Sequence, residues 1–539
     1  MSETNYTLPG LDVEIEDQQM THGNENTDPN NVLIIGFSDT ATTKVSVEPI
    51  RIKYSTDFKG GAAIGSYAIN NSLSRGFKQI VDACDKGVYV LPLADSIKAK
   101  FDTKGDVIST VEDKIGFFHS MQDIFYSIKD NAIFSDIVLK NIYAEHYDLS
   151  DEVECISLDY LRTKLSAVEQ SKDGTVEIEA SAYTNEKMTF DSAELFGDDI
   201  NKRYFYIAPD AETPADGKVA TDRLTIVSGD NKVELVNYAF VIAEKDGENT
   251  TIKIVSSSIN DEMHYALKNK SVVGYGKDIT KKDEDDQDVV VPPSKVNFSI
   301  IDMLANFCQE ASMRNTQTLG YISVLPSLGT TILEFNEWSK NLKTLDLNGF
   351  VQVCATPAVP FGLNGEPYND TIEAAYCGLV SSLAANISTT NKAIPGVVGV
   401  TKSMSANHSA AIARKHYVTL RQKANNYVVA DGITAAGSDS YFTRLTTTRI
   451  TNEVIQQVRA VSDPYIGEPN TVEKRNALEG QINEILSLMQ QDGMIQAFKM
   501  QLLTTTQDII DGNIKIALSI VPAFEIRRIN LVISLKPSL

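Results

Sequence analysis

The chain has 539 residues, of which 42% are hydrophobic and 22% charged, and its formal net charge is -23. This is enough sequence for two to four domains with cores of their own, in the composition of an ordinary globular protein. The acidic surplus opposes nucleic-acid binding, which needs a cationic face to displace counterions, and no apolar run approaches the ~18 residues of a membrane-spanning helix.

The first 30 residues carry seven Asp and Glu and no Lys or Arg, with neither the basic nor the apolar region of a secretory leader, so the protein is expected to act where it is made, in a cytoplasm. Within this tract LDVEIE alternates apolar and acidic residues, which suits an extended strand. A lone strand has to join a sheet, in its own chain or in another.

NVLIIGFSD, from Asn31, reads as a strand buried on both faces, and VSVEPIRIKY as an edge strand, because Pro49 cannot donate to a ladder. Ile69, Leu73, Ile80, Val81 and Cys84 mark a helix face, and GVYVLPLA returns as a strand. Strand, helix, strand predicts an α/β layer.

From about 96 to 297 the pattern changes to short period-two runs separated by Asp173-Gly174, Gly229-Asp230 and Asp246-Gly247, the turn chemistry of hairpins. The block closes on KKDEDDQDVVVPPS, a charge run and a proline pair that mark a linker or domain edge. It is expected to be one or two inserted β-rich outer domains. The α/β pattern resumes at Phe298 with a helix face of Phe298, Ile301, Leu304, Ala305 and Cys308, the strand LGYISVLPS, the helix TTILEFNEWSKNLKTL, the strand FVQVCATPAVPF and the helix TIEAAYCGLVSSLAANIS.

Beyond 400 the charge balance reverses: 15 Lys and Arg stand against 12 Asp and Glu, where the first 400 residues hold 34 against 60. Asn470 and Glu473 suggest a capping-box start to a helix whose stripe is Leu478, Ile482, Ile485, Leu486 and Met489, and Gly493 supplies its left-handed stop. The closing run IKIALSIVPAFEIRRINLVISL alternates over Ile514 to Ser519 and Ile526 to Leu535 but is interrupted by Pro522, which predicts a strand in the module followed by a departing arm. Two lone strands, one near each terminus, could pair with each other at home or be exchanged with neighbouring copies. The candidate exchange residues are Leu11, Val13 and Ile15 in the first arm and Ile529, Leu531 and Ile533 in the second.

The sequence offers little for chemistry. Its five cysteines are widely spaced without a CxxC pair, and its six histidines are scattered, so buried thiols are expected and no metal site or cofactor. GYGK at Gly274 lacks the strand-to-helix context of a phosphate loop, and GxxxxGK[ST], GxSxG and HExxH are absent. No catalytic residue is named and no enzyme is expected.

The order of motifs after Phe442 resembles the C-terminal domain of contractile-tail sheath proteins of phages and phage-like injection particles. It rests on Arg449 before an amphipathic helix, Glu468-Pro469-Asn470 at the start of the next, Asp492-Gly493 at its end, the Asp511-Gly512 turn and the proline-interrupted closing strand. The strand from Asn31, the helix after it, Lys86-Gly87 before the next strand and the loop KAIPGVVGV are similar to earlier parts of that family, whereas Tyr427 to Asp431 replace its Trp-Gly pair. The resemblance implies a multidomain α/β (α+β) fold: a sheath-type body (31–95 with 298–400), the β-rich outer insertion (96–297), an inner C-terminal domain (401–525), and extended strand arms at 1–30 and 526–539. It implies a structural protein that polymerises as a helical sheath of many copies around an inner tail tube, meets baseplate and tail terminator proteins, and contracts to drive the tube through a cell envelope, in a virion tail or contractile particle assembled in a bacterial cytoplasm. Lys474 and Arg475 become candidates for facing the tube. No nucleic acid and no membrane insertion are implied. The alternative is another particle surface component, such as a decorating or receptor-binding protein.

Overall fold

A computed structural model describes residues 31–40, 48–58, 64–100, 109–129, 133–149, 152–158, 161, 175–184, 187–190, 202–208, 223–236, 239–246, 249–256, 279–282, 288–291, 299–314, 317–326, 331–424, 426–510, 512–527, 529–531 and 533. The N-terminal arm, with Leu11, Val13 and Ile15, lies outside these residues, as do Asp173-Gly174, Gly274 to Lys277 and Pro292-Pro293.

The body begins with β1 (Asn31–Phe37), whose side chains from Val32 to Phe37 are all buried, as a continuous apolar run requires. The short β2 (Ile50–Ile52) is an edge strand, as Pro49 predicts. Helix α1 (Ser72–Val81) starts on Asn71, whose side chain accepts from Leu73 N at 3.0 Å; Leu73, Phe77 and Ile80 are buried, while Val81 turns to solvent. β3 (Gly87–Leu93) follows, then α2 (Val111–Ile128), capped by Thr110 and Asp113 in a reciprocal box, and β4 (Phe134–Tyr143).

The next strands form two further sheets. β5 (Val153–Ser157), β9 (Lys202–Ala208), β12 (Phe240–Asp246), β13 (Asn249–Ser256), β8 (Lys187–Phe190) and β7 (Ala182–Thr184) lie in that order in one sheet. β11 (Asn231–Val236), β10 (Arg223–Ser228) and β6 (Thr175–Glu179) make the other. The hairpin at Gly229 has the expected positive φ, +59°, and β12 pairs with β13 across Asp246 and Asn249. Alternation along β9 ties this region to the body. Phe205 and Ile207 enter a separate core with Ile178, Leu224 and Ile252, whereas Tyr206 enters the body core with its ring 4.8 Å from that of Phe240. Lys281 and Lys282 end β14 (Ile279–Lys282) and Asp288 opens β15 (Asp288–Val291), and the two strands pair antiparallel.

The body resumes with α3 (Ile300–Arg314), β16 (Leu319–Ser323), α4 (Ile332–Asn341), β17 (Val351–Cys354), the hairpin β18 (Val359–Leu363) and β19 (Glu366–Asp370), α5 (Glu373–Ser382), α6 (Ala406–Ala413) and a small hairpin of β20 (Leu420–Lys423) and β21 (Asn426–Val429). The central sheet has the order β17-β16-β4-β1-β3-β2, parallel throughout except for β2. The sequence-based boundary at 96 therefore fails for two segments: α2 buries Phe117, Phe118, Ile124 and Phe125 in the body core, and β4, expected in the β-rich insertion, is a central strand of the body sheet. Its apolar stretch pairs with β1 on one side and β16 on the other, which local texture could not reveal.

Both ends of β4 carry buried charge. Near its start Asp136 accepts from Lys86 Nζ at 2.8 Å and Tyr321 Oη at 2.9 Å. Burial opposes its ionisation most strongly of any one influence, but Lys86 together with hydrogen bonds from Ser135 and Tyr321 outweighs it and holds the carboxyl below the usual range. At the far end Lys140, fully buried, lies 2.9 Å from Glu373 Oε1 and 3.1 Å from Asp370 Oδ2, and Arg75 Nε reaches the same Asp370 oxygen at 3.0 Å. Asn141, at φ +55°, donates to Asp370 Oδ1 at 2.6 Å, and Ser323 to Glu373 Oε2 at 2.6 Å. The cluster joins α1, β4, β16, the end of β19 and α5.

His146, just past β4, is buried against Tyr143 (ring centroids 5.2 Å apart) and its pKa is lowered to about 4, first by burial and then by Lys114. A histidine kept neutral in the fold but protonated in the unfolded chain makes stability fall as pH drops from the unfolded value of ~6.5 towards 4, by up to ~3 kcal/mol. Asp136 and Asp370, whose pKa values are lowered from 3.8, lose their contribution only below that window. Glu145, pushed up to about 7 by burial, titrates across the same window with the opposite sign, so His146→Gln is expected to gain stability relative to the parent progressively as pH falls from 6.5 to 4 and to leave the drop below pH 4 in place; a constant difference in melting temperature between the two chains across this range would reject the assignment.

All five cysteines are free thiols, with Cys308, Cys354 and Cys377 buried. Among the described residues no helix is long and apolar enough to cross a membrane.

Candidate functional site

The C-terminal module is built on two helices. α7 (Leu445–Ser462) buries Ile450, Val454 and Val458, and α8 (Val472–Gln491) buries Leu478, Ile482, Leu486 and Met489 against them, with Ile485 partly covered at the margin. The sequence-based stripe is thus the packed face. The helix starts one residue later than Asn470 suggests: Thr471 has the extended backbone of a cap and accepts from Lys474 N, while the Asn470 amide oxygen takes a hydrogen bond from Arg475 instead. Gly493 stops it at φ +70°, with Met494 N returning to Met489 O at 3.0 Å.

Arg449 lies inside α7, not before it. Its guanidinium donates to Leu383 O and Ala384 O at 2.6 and 3.0 Å, satisfying carbonyls at the C-terminal end of α5 and fastening the module to the body.

After α8 the chain forms β22 (Ile495–Leu502), a short α9 (Thr506–Ile510), the Gly512 turn (φ +78°) and β23 (Ile516–Pro522). β22 and β23 pair antiparallel as a two-stranded sheet. Phe498, Met500, Leu518 and Ile520 rest on the helix pair but remain only partly covered. Each strand keeps an outer edge without a ladder partner among the described residues. The body sheet differs: beside β17, Val418 N donates to Val353 O and Ala355 N to Val418 O, both at 2.8 Å, so that edge is closed.

Pro522 ends β23 and does not split it, because it occupies the last ladder position, opposite Ile495. One residue on, Ala523 N donates to Met494 O, and beyond it no backbone hydrogen bond occurs among the described residues. Ile526, Ile529, Leu531 and Ile533 are 85%, 86%, 78% and 72% exposed. Four apolar side chains therefore stand in water along a backbone with no ladder partner among the described residues. Past Arg527 the described residues of the arm make no hydrogen bond or ion pair back onto their own chain.

The two candidate tube-facing residues separate. Lys474 is half exposed and 3.2 Å from Glu468, whereas Arg475 is partly buried, with Nη1 donating to Asn470 Oδ1 at 2.7 Å. Sequence reading missed Asp431, Arg444, Glu525 and Arg527, which converge at the root of the arm. Nothing local in the sequence signals that meeting, since Asp431 and Arg527 are 96 residues apart.

No family model matches the chain, and no curated protein matches it. Its fold is similar to that of solved contractile-sheath proteins. The helical sheath of the anti-feeding prophage in its contracted state aligns over 98% of this chain and 99% of its own, with 10% identity and a TM-score of 0.47. A sheath tail protein from Listeria innocua aligns over 93% and 96% (10% identity, TM-score 0.37), and one from Desulfitobacterium hafniense over 96% and 97% (9% identity, TM-score 0.36).

Proposed function

We propose that the chain is the sheath subunit of a contractile tail or contractile injection particle: a structural protein that polymerises in many copies as a helix around an inner tube and contracts to drive that tube through a target envelope. One observation supports this above the rest. An exposed apolar arm leaves the module beside a two-stranded sheet whose edges have no partner among the described residues, so one copy offers both a strand and a place to receive one.

A chain that gives a strand to one neighbour and accepts one from another has a heterologous interface, and such interfaces generate open helical assemblies when the rotation does not close. The twelve residues from 528 to 539 span at most ~40 Å when extended, enough to cross to an adjacent subunit. Backbone ladders of this kind remain paired while rigid bodies rotate, which a contracting lattice requires. In this reading Ile529, Leu531 and Ile533 enter the neighbour's sheet, Leu11, Val13 and Ile15 supply the second exchanged strand, and contraction releases energy stored in the extended lattice. The body sheet and its β-rich outer region face away from the tube, the C-terminal module faces inward, and baseplate and terminator proteins close the two ends. Assembly takes place in the cytoplasm of a bacterial host.

Analytical ultracentrifugation tests this reading: the full chain is expected to sediment as large, concentration-dependent polymers, and a monomer at every concentration would refute it. Lys474 also carries a prediction. Lys474→Glu removes a surface cation and sets two carboxylates beside each other, and is expected to lower co-sedimentation with the partner tube protein several-fold without changing the melting temperature; unchanged binding would take this end of α8 out of the tube interface.

A further inference from the structure

We propose that Asp431, Arg444, Glu525 and Arg527 clamp the root of the C-terminal arm to its own subunit, so that exchange between copies begins only beyond Arg527. The inference rests on the sheath reading above and adds to it where the shared strand starts.

Asp431 is the centre. Both terminal nitrogens of Arg444 donate to its Oδ1 at 2.8 Å, and Arg527 Nη2 donates to its Oδ2 at 2.7 Å, so each carboxylate oxygen serves one arginine. Arg444 Nη2 is also 3.0 Å from Glu525 Oε1, an ion pair that balances the charges at two of each sign. Asp431, Arg444 and Glu525 are each less than one-fifth exposed, which screens their pairing less than that of surface ions.

The two halves of the clamp differ in how their backbones are held. Asp431 and Arg444 belong to segments tied to the body: Leu445 N donates to Gly432 O, Gly432 N to Thr390 Oγ1 at 2.9 Å, and Ile433 bridges to Arg444. Glu525 and Arg527 belong to the arm, where the backbone has no partner of its own among the described residues. They alternate with Phe524 and Ile526, which are exposed. The clamp therefore replaces the missing ladder for these few residues and fixes which way the backbone faces as it leaves. Continued as an extended strand, the chain gives Ile529, Leu531 and Ile533 the same parity as Glu525 and Arg527, so the clamp also sets the orientation of the apolar face offered to the next copy.

Arg527→Lys keeps a cation beside Asp431 and supplies an amine that a carbodiimide can join to that carboxylate, forming an amide with loss of water. Chains carrying this substitution, half of them labelled with nitrogen-15, are mixed, then cross-linked as dilute monomers and after assembly, and the 431–527 peptides are read by mass spectrometry. The clamp predicts links within single-isotope chains in both samples, and their loss in the Asp431→Asn control. Mixed-isotope 431–527 links in the assembly would show that the root itself is exchanged, and absence of the link in monomers would show that no clamp exists; either overturns the inference. Failure of the wild-type chain to polymerise would instead count against the sheath reading, while the monomer links still decide whether the clamp is present.

Discussion

Deleting residues 526–539 is expected to abolish polymerisation while leaving a folded monomer. The described apolar side chains removed, Ile526, Ile529, Leu531 and Ile533, are exposed, and Asp431, which loses Arg527, keeps Arg444, so no described core residue is removed. The deletion does remove the strand on which the proposed interface depends, and backbone pairing has no substitute once that strand is gone. The truncated chain should keep the circular dichroism and main melting transition of the parent and sediment as a monomer where the parent forms polymers. Polymers of normal length from the truncated chain would eliminate the C-terminal arm as a joint.

Lys140→Met is expected to be the most damaging single substitution in the body. It leaves Glu373 and Asp370 buried with one of their two cations gone, and breaking a buried ion pair from one side costs roughly 3–5 kcal/mol. For a domain of this size that lowers the melting midpoint by roughly 10 °C. Lys140→Met combined with Glu373→Leu should recover much of the loss, because the unpaired carboxylate is removed together with its partner. Equal instability of the single and double variants would mean that packing around Lys140, and not its charge, is what matters there. The cluster lies at the end of the central strand, so the damage should extend to α1, β16 and α5 together.

Much of this fold is written in local chemistry. Six residues from Val32 to Phe37 without a polar interruption read as a doubly buried strand, Pro49 places its neighbour at an edge, and the α8 stripe ends where Gly493 allows a left-handed turn. The central position of β4 is not legible in the same way. DIVLKNIY looks like any buried strand, and its place between β1 and β16 depends on partners about 100 and 180 residues away. A weaker clue was there: Lys140 within an apolar run and Glu373 at the head of an apolar helix are charges where burial is expected, and such charges are generally paired. The departure of the chain from the module after Pro522 was legible, since a proline at the end of an alternating run stops its ladder. The clamp was not, because four charges brought together by the fold leave no spacing signature.

The cap of α8 shows how close two local answers can be. Asn470 and Thr471 are both good caps, and Glu473 favours the first by offering a reciprocal box. The chain uses Thr471, and Asn470 holds Arg475 instead. That choice takes Arg475 out of the set of free surface cations and leaves Lys474 the better candidate for contact with a tube.

The central claim is that copies of this chain join one another through strands into an open helix. Negative-stain electron microscopy of the purified full-length chain tests it most directly. The account predicts tubes with a regular helical lattice; discrete monomers or trimers at every concentration, especially ones that bind cells, would contradict it and favour a decorating or receptor-binding protein.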